Sequence, residues 1–306
     1  MEMDQAFSDE DRICIGDHLE IRHFRHLLVV PRLLEEKCGS RGPFWFRGER
    51  KAYPSLQPAI FRPDIYAQGP HQHSPEKSLL NQFILDAPTR LGACPEPADG
   101  VGWLCLAQHH SLPTRMLDWT ESILNAACFA LMYNPHKKER DGDAVIWALS
   151  PERLNKHFVN DASTFILTGL HASVLALSAI QGKPVKDTIS EHIARPQDQL
   201  TLLRFYSQGA GGMDNKVLAV KSAQIHERMK AQQSAFTIHS CPDCLWESCA
   251  EKGFLWRFVI PEDCCDNLAA DLRQVGVRLS TIFPDLQTLA EDLKSDCLRK
   301  KGVDGR

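Results

Sequence analysis

The sequence predicts an α+β fold with a mostly antiparallel sheet, and two observations favour this class. Short apolar runs with strand character recur along the 306 residues, and long segments of helical periodicity separate them at irregular intervals. A doubly wound parallel sheet would instead alternate one strand with one helix in regular order. The composition, with 43% hydrophobic and 24% charged residues, is that of an ordinary globular protein.

The first half of the chain is predicted to be mainly helical. Apolar spacing indicates a helix within residues 17–36 that is interrupted at Pro31. The segment 122–133 is apolar nearly all round, so we expect a buried helix, with Thr120 as a good N-cap. The other elements predicted here are strands at 44–46 and 116–117 and helices at 76–91 and 101–110.

The remaining strands are predicted from residue 144 onwards, and a long helical insertion at residues 151–208 follows the first of them. We divide the chain into a helical lead-in at 1–40, a main domain at 41–299 that includes the insertion, and a charged tail at 300–306. The elements predicted here are strands at 144–149, 217–220, 235–238 and 255–260, a helix at 262–275, an extended segment at 277–283 and a last helix at 285–297.

Charge and cysteine content exclude several classes of protein. A net charge of -4 and a pI near 6.3 argue against a protein that coats nucleic acid. No apolar run reaches the length that spans a membrane, and the first residues lack the basic and apolar regions of a signal peptide. The 11 cysteines are odd in number and scattered, which suits reduced thiols in the cytoplasm.

Arg47 is the first candidate functional residue, because it ends an apolar, aromatic segment and is followed by Gly48. A buried arginine needs a partner, since an unpaired buried charge costs several kcal/mol. Two interpretations stay open at this point: a structural ion pair with Asp118, or a preorganised clamp for an anion. Gly48 allows a close backbone approach that a side chain would block.

A cysteine-bearing loop supplies a weak candidate for a metal site. His239, Cys241, Cys244 and Cys249 offer four ligands of the kind that bind structural zinc. A lone Cys-x-x-Cys without a second pair is poor support for such a site, so we expect no metal.

Five motifs follow one another in the order of a known protein family. They are Phe46-Arg47-Gly48; the run from Gln108 through Asp118-Trp119-Thr120; Ala126 with Phe129-Ala130; Gln232-Gln233-Ser234-Ala235-Phe236; and Ile282-Phe283-Pro284-Asp285-Leu286. Together they resemble the bacterial FRG domain family over roughly residues 44–293. His110, Ser111 and Ser234 depart from the family pattern in small ways.

The order of these motifs is also similar, more distantly, to the ADP-ribosyltransferase fold. That resemblance implies a split antiparallel sheet with surrounding helices, and NAD as a substrate. It implies that Arg47 holds the dinucleotide, that Trp119 stacks on the nicotinamide, and that Thr120 orients Arg47 or the third motif. Gln232 or Gln233 would stand where those enzymes carry a glutamate. The implied cofactor contacts are Arg47, Gly48, Trp119, His109 and Arg115, and the implied catalytic residues are Arg47, Asp118, Thr120, Gln232 and Gln233.

A glutamine cannot act as a general base, because an amide does not ionise. Asp118 and His109 are the alternatives for that role. Asp118 could equally form an ion pair with Arg47 or Arg115, and His109 could be a core residue. Arg115 could be structural or an anion contact.

We therefore expect a cytoplasmic NAD-dependent ADP-ribosyltransferase that acts as a bacterial toxin or anti-phage effector. Its acceptor would be a macromolecule, with protein favoured over nucleic acid, and an antitoxin or defence partner would accompany it. The alternative is a non-catalytic FRG module that binds a nucleotide or a partner.

Overall fold

An eight-stranded sheet forms the centre of the computed structural model, in the order β1-β8-β4-β2-β3-β7-β6-β5. The structure describes residues 19–39, 41–51, 56–62, 75–92, 94–95, 100–133, 140, 142–159, 167–168, 217–221, 224, 226–239, 245 and 252–303. The strands are β1 (Leu19–Glu20), β2 (Trp45–Glu49), β3 (Met116–Thr120), β4 (Ala144–Leu149), β5 (Leu167–Thr168), β6 (Val217–Lys221), β7 (Ser234–His239) and β8 (Leu255–Ile260).

Nine helices of the described residues surround this sheet. Short 3-10 turns lie at Ala59–Phe61 and Ala87–Thr89. The helices are α1 (Phe24–Cys38), α2 (Pro75–Asp86), α3 (Gly100–His109), α4 (Ile123–Leu131), α5 (Pro151–Val159), α6 (Glu227–Ala231), α7 (Glu262–Gln274), α8 (Leu279–Ile282) and α9 (Leu286–Val303).

The six central strands pair in antiparallel fashion, which confirms the predicted α+β class. The two-residue edge strands β1 and β5 add parallel pairings to β8 and β6. One face of the sheet carries α1, α4 and α7 over β2, β4 and β8, and α2, α3 and α6 beside β3, β6 and β7. The other face is packed by α5 and by Leu56, Leu245 and Phe254.

The sheet opens between β2 and β3. These strands meet at one residue pair, Phe46 with Thr120, whereas β2 pairs with β4 at five positions and β3 pairs with β7 at five positions. Residues 47–49 therefore diverge from residues 117–119, which the register would otherwise place opposite them. Backbone groups on both sides of this opening are left for side chains or ligands to satisfy.

Helix α4 lies directly on β2 because Gly48 has no side chain. A Cβ at Gly48 would come within 1.8 Å of the carbonyl oxygen of Ala126 and 2.8 Å of the Ala130 nitrogen. Ala126 and Ala130 are themselves fully buried. This confirms the expected close approach and shows that helix packing requires the glycine.

Two local predictions are wrong. Helix α1 continues through Pro31, because burial of Leu27, Val30 and Leu34 in the core outweighs the roughly 3 kcal/mol cost of an internal proline. The segment predicted to be extended at 277–283 contains the short helix α8, which packs against α9.

Helix α1 shares one core with α4 and α7, so the predicted lead-in is part of the main fold where the structure describes it. Of the insertion at 151–208, α5 and β5 are described, and the rest lies outside the described residues.

Within the described part of the chain, none of the helices has the length and apolar character that crossing a bilayer demands.

Candidate functional site

Arg47 lies at the opening between β2 and β3 and bridges it. Its Nη1 donates to the backbone carbonyl oxygen of Asp118 at 2.9 Å, and its Nε donates to Glu49 Oε1 at 3.1 Å. The other carboxylate oxygen of Glu49 accepts from the Trp147 indole at 3.0 Å. Glu49 therefore neutralises Arg47, so the alternative of an Arg47–Asp118 carboxylate pair is wrong among the described contacts.

Asp118 carries an exposed carboxyl group in the middle of β3 that is hydrogen-bonded to α3. Gln108 Nε2 donates to Asp118 Oδ2 at 2.7 Å, and Thr114 Oγ1 donates to Gln108 Oε1 at 2.6 Å, so a chain of hydrogen bonds orients the carboxyl. The residue keeps exposed surface, yet protein atoms surround it and desolvate it. This desolvation raises the pKa of Asp118 against the opposing effects of Arg47 and Gln108.

We predict that Asp118→Asn raises the free energy of unfolding at pH 7. The fold disfavours the charged carboxylate, so its cost is full above the raised pKa and absent below the unfolded value of 3.8. The amide oxygen of the introduced asparagine could still accept from Gln108. Urea unfolding at pH 7 and pH 4 should show a gain that shrinks at the lower pH, and an Asp118→Asn variant less stable at pH 7 would contradict this.

Thr120 is the last residue of β3, and its side chain contacts the start of the Gln232-Gln233 motif. Thr120 Oγ1 donates to the backbone carbonyl oxygen of Gln232 at 2.7 Å, and Asn125 Nδ2 donates to that of Ala231 at 3.1 Å. The side-chain nitrogen of Gln232 is buried and has no partner among the described residues. Gln233 is exposed and adopts the left-handed conformation at φ 48°. The N-cap of α4 is Ser122, because its side chain accepts from the Asn125 backbone nitrogen.

Trp119 and Arg115 lie in the core, with about 3% of each exposed. The Trp119 indole donates to Thr237 Oγ1 at 3.0 Å. Arg115 donates from its backbone nitrogen and from Nε to the carboxylate of the buried Glu76, at 2.8 and 2.7 Å. Both side chains are therefore buried, and neither the expected stacking face of Trp119 nor the expected anion contact of Arg115 is exposed. For Arg115 the geometry matches the structural alternative.

His239 is fully buried, and its Nε2 lies 3.1 Å from Thr237 Oγ1. Its Nδ1 has no partner in the described part of the chain. Burial, with Arg47 and Arg115 nearby, lowers the pKa of His239 to about 3. The proposed zinc partners Cys241, Cys244 and Cys249 lie outside the described residues. Among the described residues, no cluster of three or more His, Cys, Asp or Glu side chains could hold a metal ion.

We predict that His239 makes stability fall as pH decreases from 6.5 towards 3, because the unfolded chain then binds a proton that the fold excludes. Between pH 7 and pH 5 the loss should be about 2 kcal/mol from this residue. Urea unfolding at both pH values should show a smaller loss for His239→Gln, and equal losses in the two proteins would contradict the assignment.

A cluster of imidazoles lies near Arg228, a cation that also interacts electrostatically with Asp118. His109 at the end of α3 stacks on His226, with ring centroids 5.4 Å apart and planes inclined by 13°, and His110 meets His109 edge-on at 5.2 Å. Arg228 on α6 covers the Phe283 ring at 4.4 Å from its centroid. Burial and the neighbouring Arg228 lower the pKa of His109 to about 4, so this imidazole is neutral near pH 7.

Sequence reasoning missed Glu49, Gln108, Arg228 and Phe283 as parts of this region. Glu49 could have been found, because residues two apart on a strand share a face and Arg47 needed a partner. Gln108 and Phe283 belong to the quoted motifs, but nothing in those motifs assigned them a contact. Arg228 carried no sequence signal beyond its position in a short polar helix.

The comparisons with known proteins give one family. The model of the FRG domain matches residues 42–139, which include Arg47, Asp118 and Thr120 but not Gln232. Neither the search of curated proteins nor that of solved structures returned a match.

Proposed function

We propose that this chain, which carries an FRG domain over residues 42–139, binds NAD at the opening between β2 and β3 and transfers its ADP-ribosyl group to a macromolecule. The sheet order and the opening also agree with the ADP-ribosyltransferase-like split sheet that the motif order implies. We include the relationship to the ADP-ribosyltransferase fold in this proposal.

One observation carries the proposal: three motifs far apart in the chain converge at one end of the opening. Arg47 contacts the backbone of Asp118 across 71 residues, and Thr120 contacts the backbone of Gln232 across 112 residues. Convergence of an arginine, a carboxyl group, a hydroxyl and an amide beside a gap in a sheet is typical of a binding or catalytic site.

The chemistry requires cleavage of the bond between ribose C1′ and the nicotinamide nitrogen. The bonding electrons leave with nicotinamide, positive charge develops on the ribose, and the acceptor forms the new bond to C1′ while losing a proton to a base. Carboxylates near the ribose stabilise the developing cation. Asp118 is the carboxyl group at the opening that would take this proton, and desolvation raises its pKa in the direction of the operating pH, which favours proton transfer.

Arg47 would orient the ribose side of the dinucleotide. Two of its nitrogens are held by Glu49 and by the Asp118 carbonyl, and its Nη2 has no hydrogen bond among the described residues. About 18% of the Arg47 side chain is exposed. A guanidinium fixed on two sides presents its remaining N–H groups in a defined direction, which favours positioning over simple charge attraction.

Binding without turnover is the second candidate function. Its support is that both residues of the third motif are amides, which position a ribose hydroxyl but cannot ionise. Isothermal titration of the protein with NAD, followed by chromatography for nicotinamide, separates the two functions. Binding with nicotinamide release supports transfer, binding without release in the presence of a cell extract supports the module, and no binding contradicts both.

A further inference from the structure

Three buried polar groups without partners lie in one short segment of the chain. They are His226 Nε2, Arg228 Nε and Gln232 Nε2, and all three lack a hydrogen bond within the part of the chain that the structure describes. Buried polar atoms without partners are rare in folded proteins, because each costs about 1–3 kcal/mol. Such a concentration within seven residues indicates that a ligand supplies the missing contacts.

Arg228 is the most unusual of the three. The described contacts of its side chain include the stack on Phe283 at 4.4 Å but no hydrogen bond and no ion pair. Burial lowers the pKa of Arg228, although Tyr133, Asp118 and Asp285 oppose this effect at a distance. Arg47 and Arg115, by contrast, each pair with a carboxylate. A partly buried guanidinium held in place by an aromatic ring and left without acceptors is suited to an anionic ligand.

The surroundings of Arg228 offer further hydrogen-bond donors. His109 stacks on His226 beside it, and the low pKa of His109 keeps that ring neutral near pH 7. A ring nitrogen of His226 and the Gln232 amide can each donate to oxygen. A phosphoryl group, with several acceptor oxygens, matches separate donors on different residues better than a carboxylate with two oxygens does.

We propose that Arg228, His226 and Gln232 form a phosphoryl-binding subsite beside Asp118 that holds the diphosphate of the dinucleotide. Naming the dinucleotide rests on the proposed function. The assignment follows from charge: Glu49 already pairs with Arg47, so Arg228 is the cation near Asp118 that makes no ion pair among the described residues. Arg47 then acts on the ribose end, and Arg228 on the diphosphate.

Isothermal titration with pyrophosphate and with NAD tests this assignment in the full chain. Arg228→Met keeps an apolar side chain on Phe283 and removes the charge, and we expect it to weaken both affinities by at least about 30-fold. Lys230→Met is the matched control, because Lys230 is an exposed cation on the same helix, and its effect should stay within about twofold. Thermal unfolding should give Arg228→Met a Tm equal to or above that of the parent protein, which excludes misfolding as the cause.

These titrations distinguish a failure of the Arg228 subsite from a failure of the proposed NAD binding. Unchanged NAD and pyrophosphate affinity in Arg228→Met overturns the subsite and leaves NAD binding intact. Pyrophosphate binding that depends on Arg228, without any NAD binding, supports the subsite and overturns the dinucleotide. A single-stranded oligonucleotide that loses affinity in Arg228→Met while NAD does not would assign the phosphate to a nucleic acid and overturn the diphosphate assignment.

Discussion

Gly48→Ala is expected to destabilise the protein by at least about 3 kcal/mol, at the upper end of the usual cost of overpacking a core. The new methyl group would collide with the Ala126 carbonyl oxygen at 1.8 Å and with the Ala130 nitrogen at 2.8 Å. Both atoms belong to the backbone of α4, so no side-chain rotation relieves the clash. The helix must move away from β2, and calorimetry should show a Tm lower by about 10 °C.

Gly42→Ala is the matched control for this substitution. Gly42 lies six residues earlier, and a Cβ there meets no atom within 4 Å. Its replacement should leave Tm nearly unchanged or slightly raised, because alanine restricts the unfolded chain. Equal Tm values for the two variants would contradict the packing of α4 on β2. Because Gly48 follows Arg47 directly, we also expect Gly48→Ala to weaken NAD binding.

Arg47→Met is expected to lower kcat/KM for nicotinamide release by at least about 100-fold, which is the usual loss when one preorganised donor is removed from a reacting centre. Arg47→Lys should recover little of this, because an ammonium cannot reach Glu49 and the Asp118 carbonyl in the same geometry. The measurement is the initial rate of nicotinamide release over a range of NAD concentrations.

Removing Arg47 also leaves Glu49 as a partly buried charge without its ion pair, which could lower activity by unfolding. About 10% of the Glu49 side chain is exposed. The double variant Arg47→Met/Glu49→Gln removes this charge and keeps an acceptor for Trp147, so it should restore Tm without restoring turnover. Arg32→Met, which breaks an exposed pair with Glu36, should leave both unchanged. Recovery of turnover in the double variant would show that Arg47 acts through stability.

The strands were accessible from sequence because they depend on local apolar patterns, whereas the convergence of the motifs was implied by the resemblance alone. Apolar runs placed β4, β7 and β8 near their observed bounds. The sequence also indicates that Arg47 needs a partner, but it does not specify that the acceptor is Glu49. Asp118 offers its carbonyl to Arg47 and its carboxyl to Gln108, a division that the residue types do not specify.

Burial explains where sequence reasoning about the site failed. Trp119 and Arg115 have the residue types of a ligand site, yet their partners Thr237 and Glu76 lie 118 and 39 residues away. Only the assembled sheet shows that these partners face the core. Arg228 shows the opposite: its residue type gives no sign of a ligand site, and only the packing of α6 against Phe283 reveals a guanidinium without an acceptor among the described residues.

The central claim is that the opening between β2 and β3 breaks the nicotinamide bond of NAD and passes on ADP-ribose. The most direct measurement uses NAD labelled in the adenylate half, incubated with the protein and a cell extract, with free nicotinamide and labelled macromolecules quantified together. The account predicts both products in equal amounts with the parent protein and neither with Arg47→Met/Glu49→Gln. Intact NAD in every reaction, with a folded parent protein that does not bind it, would contradict the account.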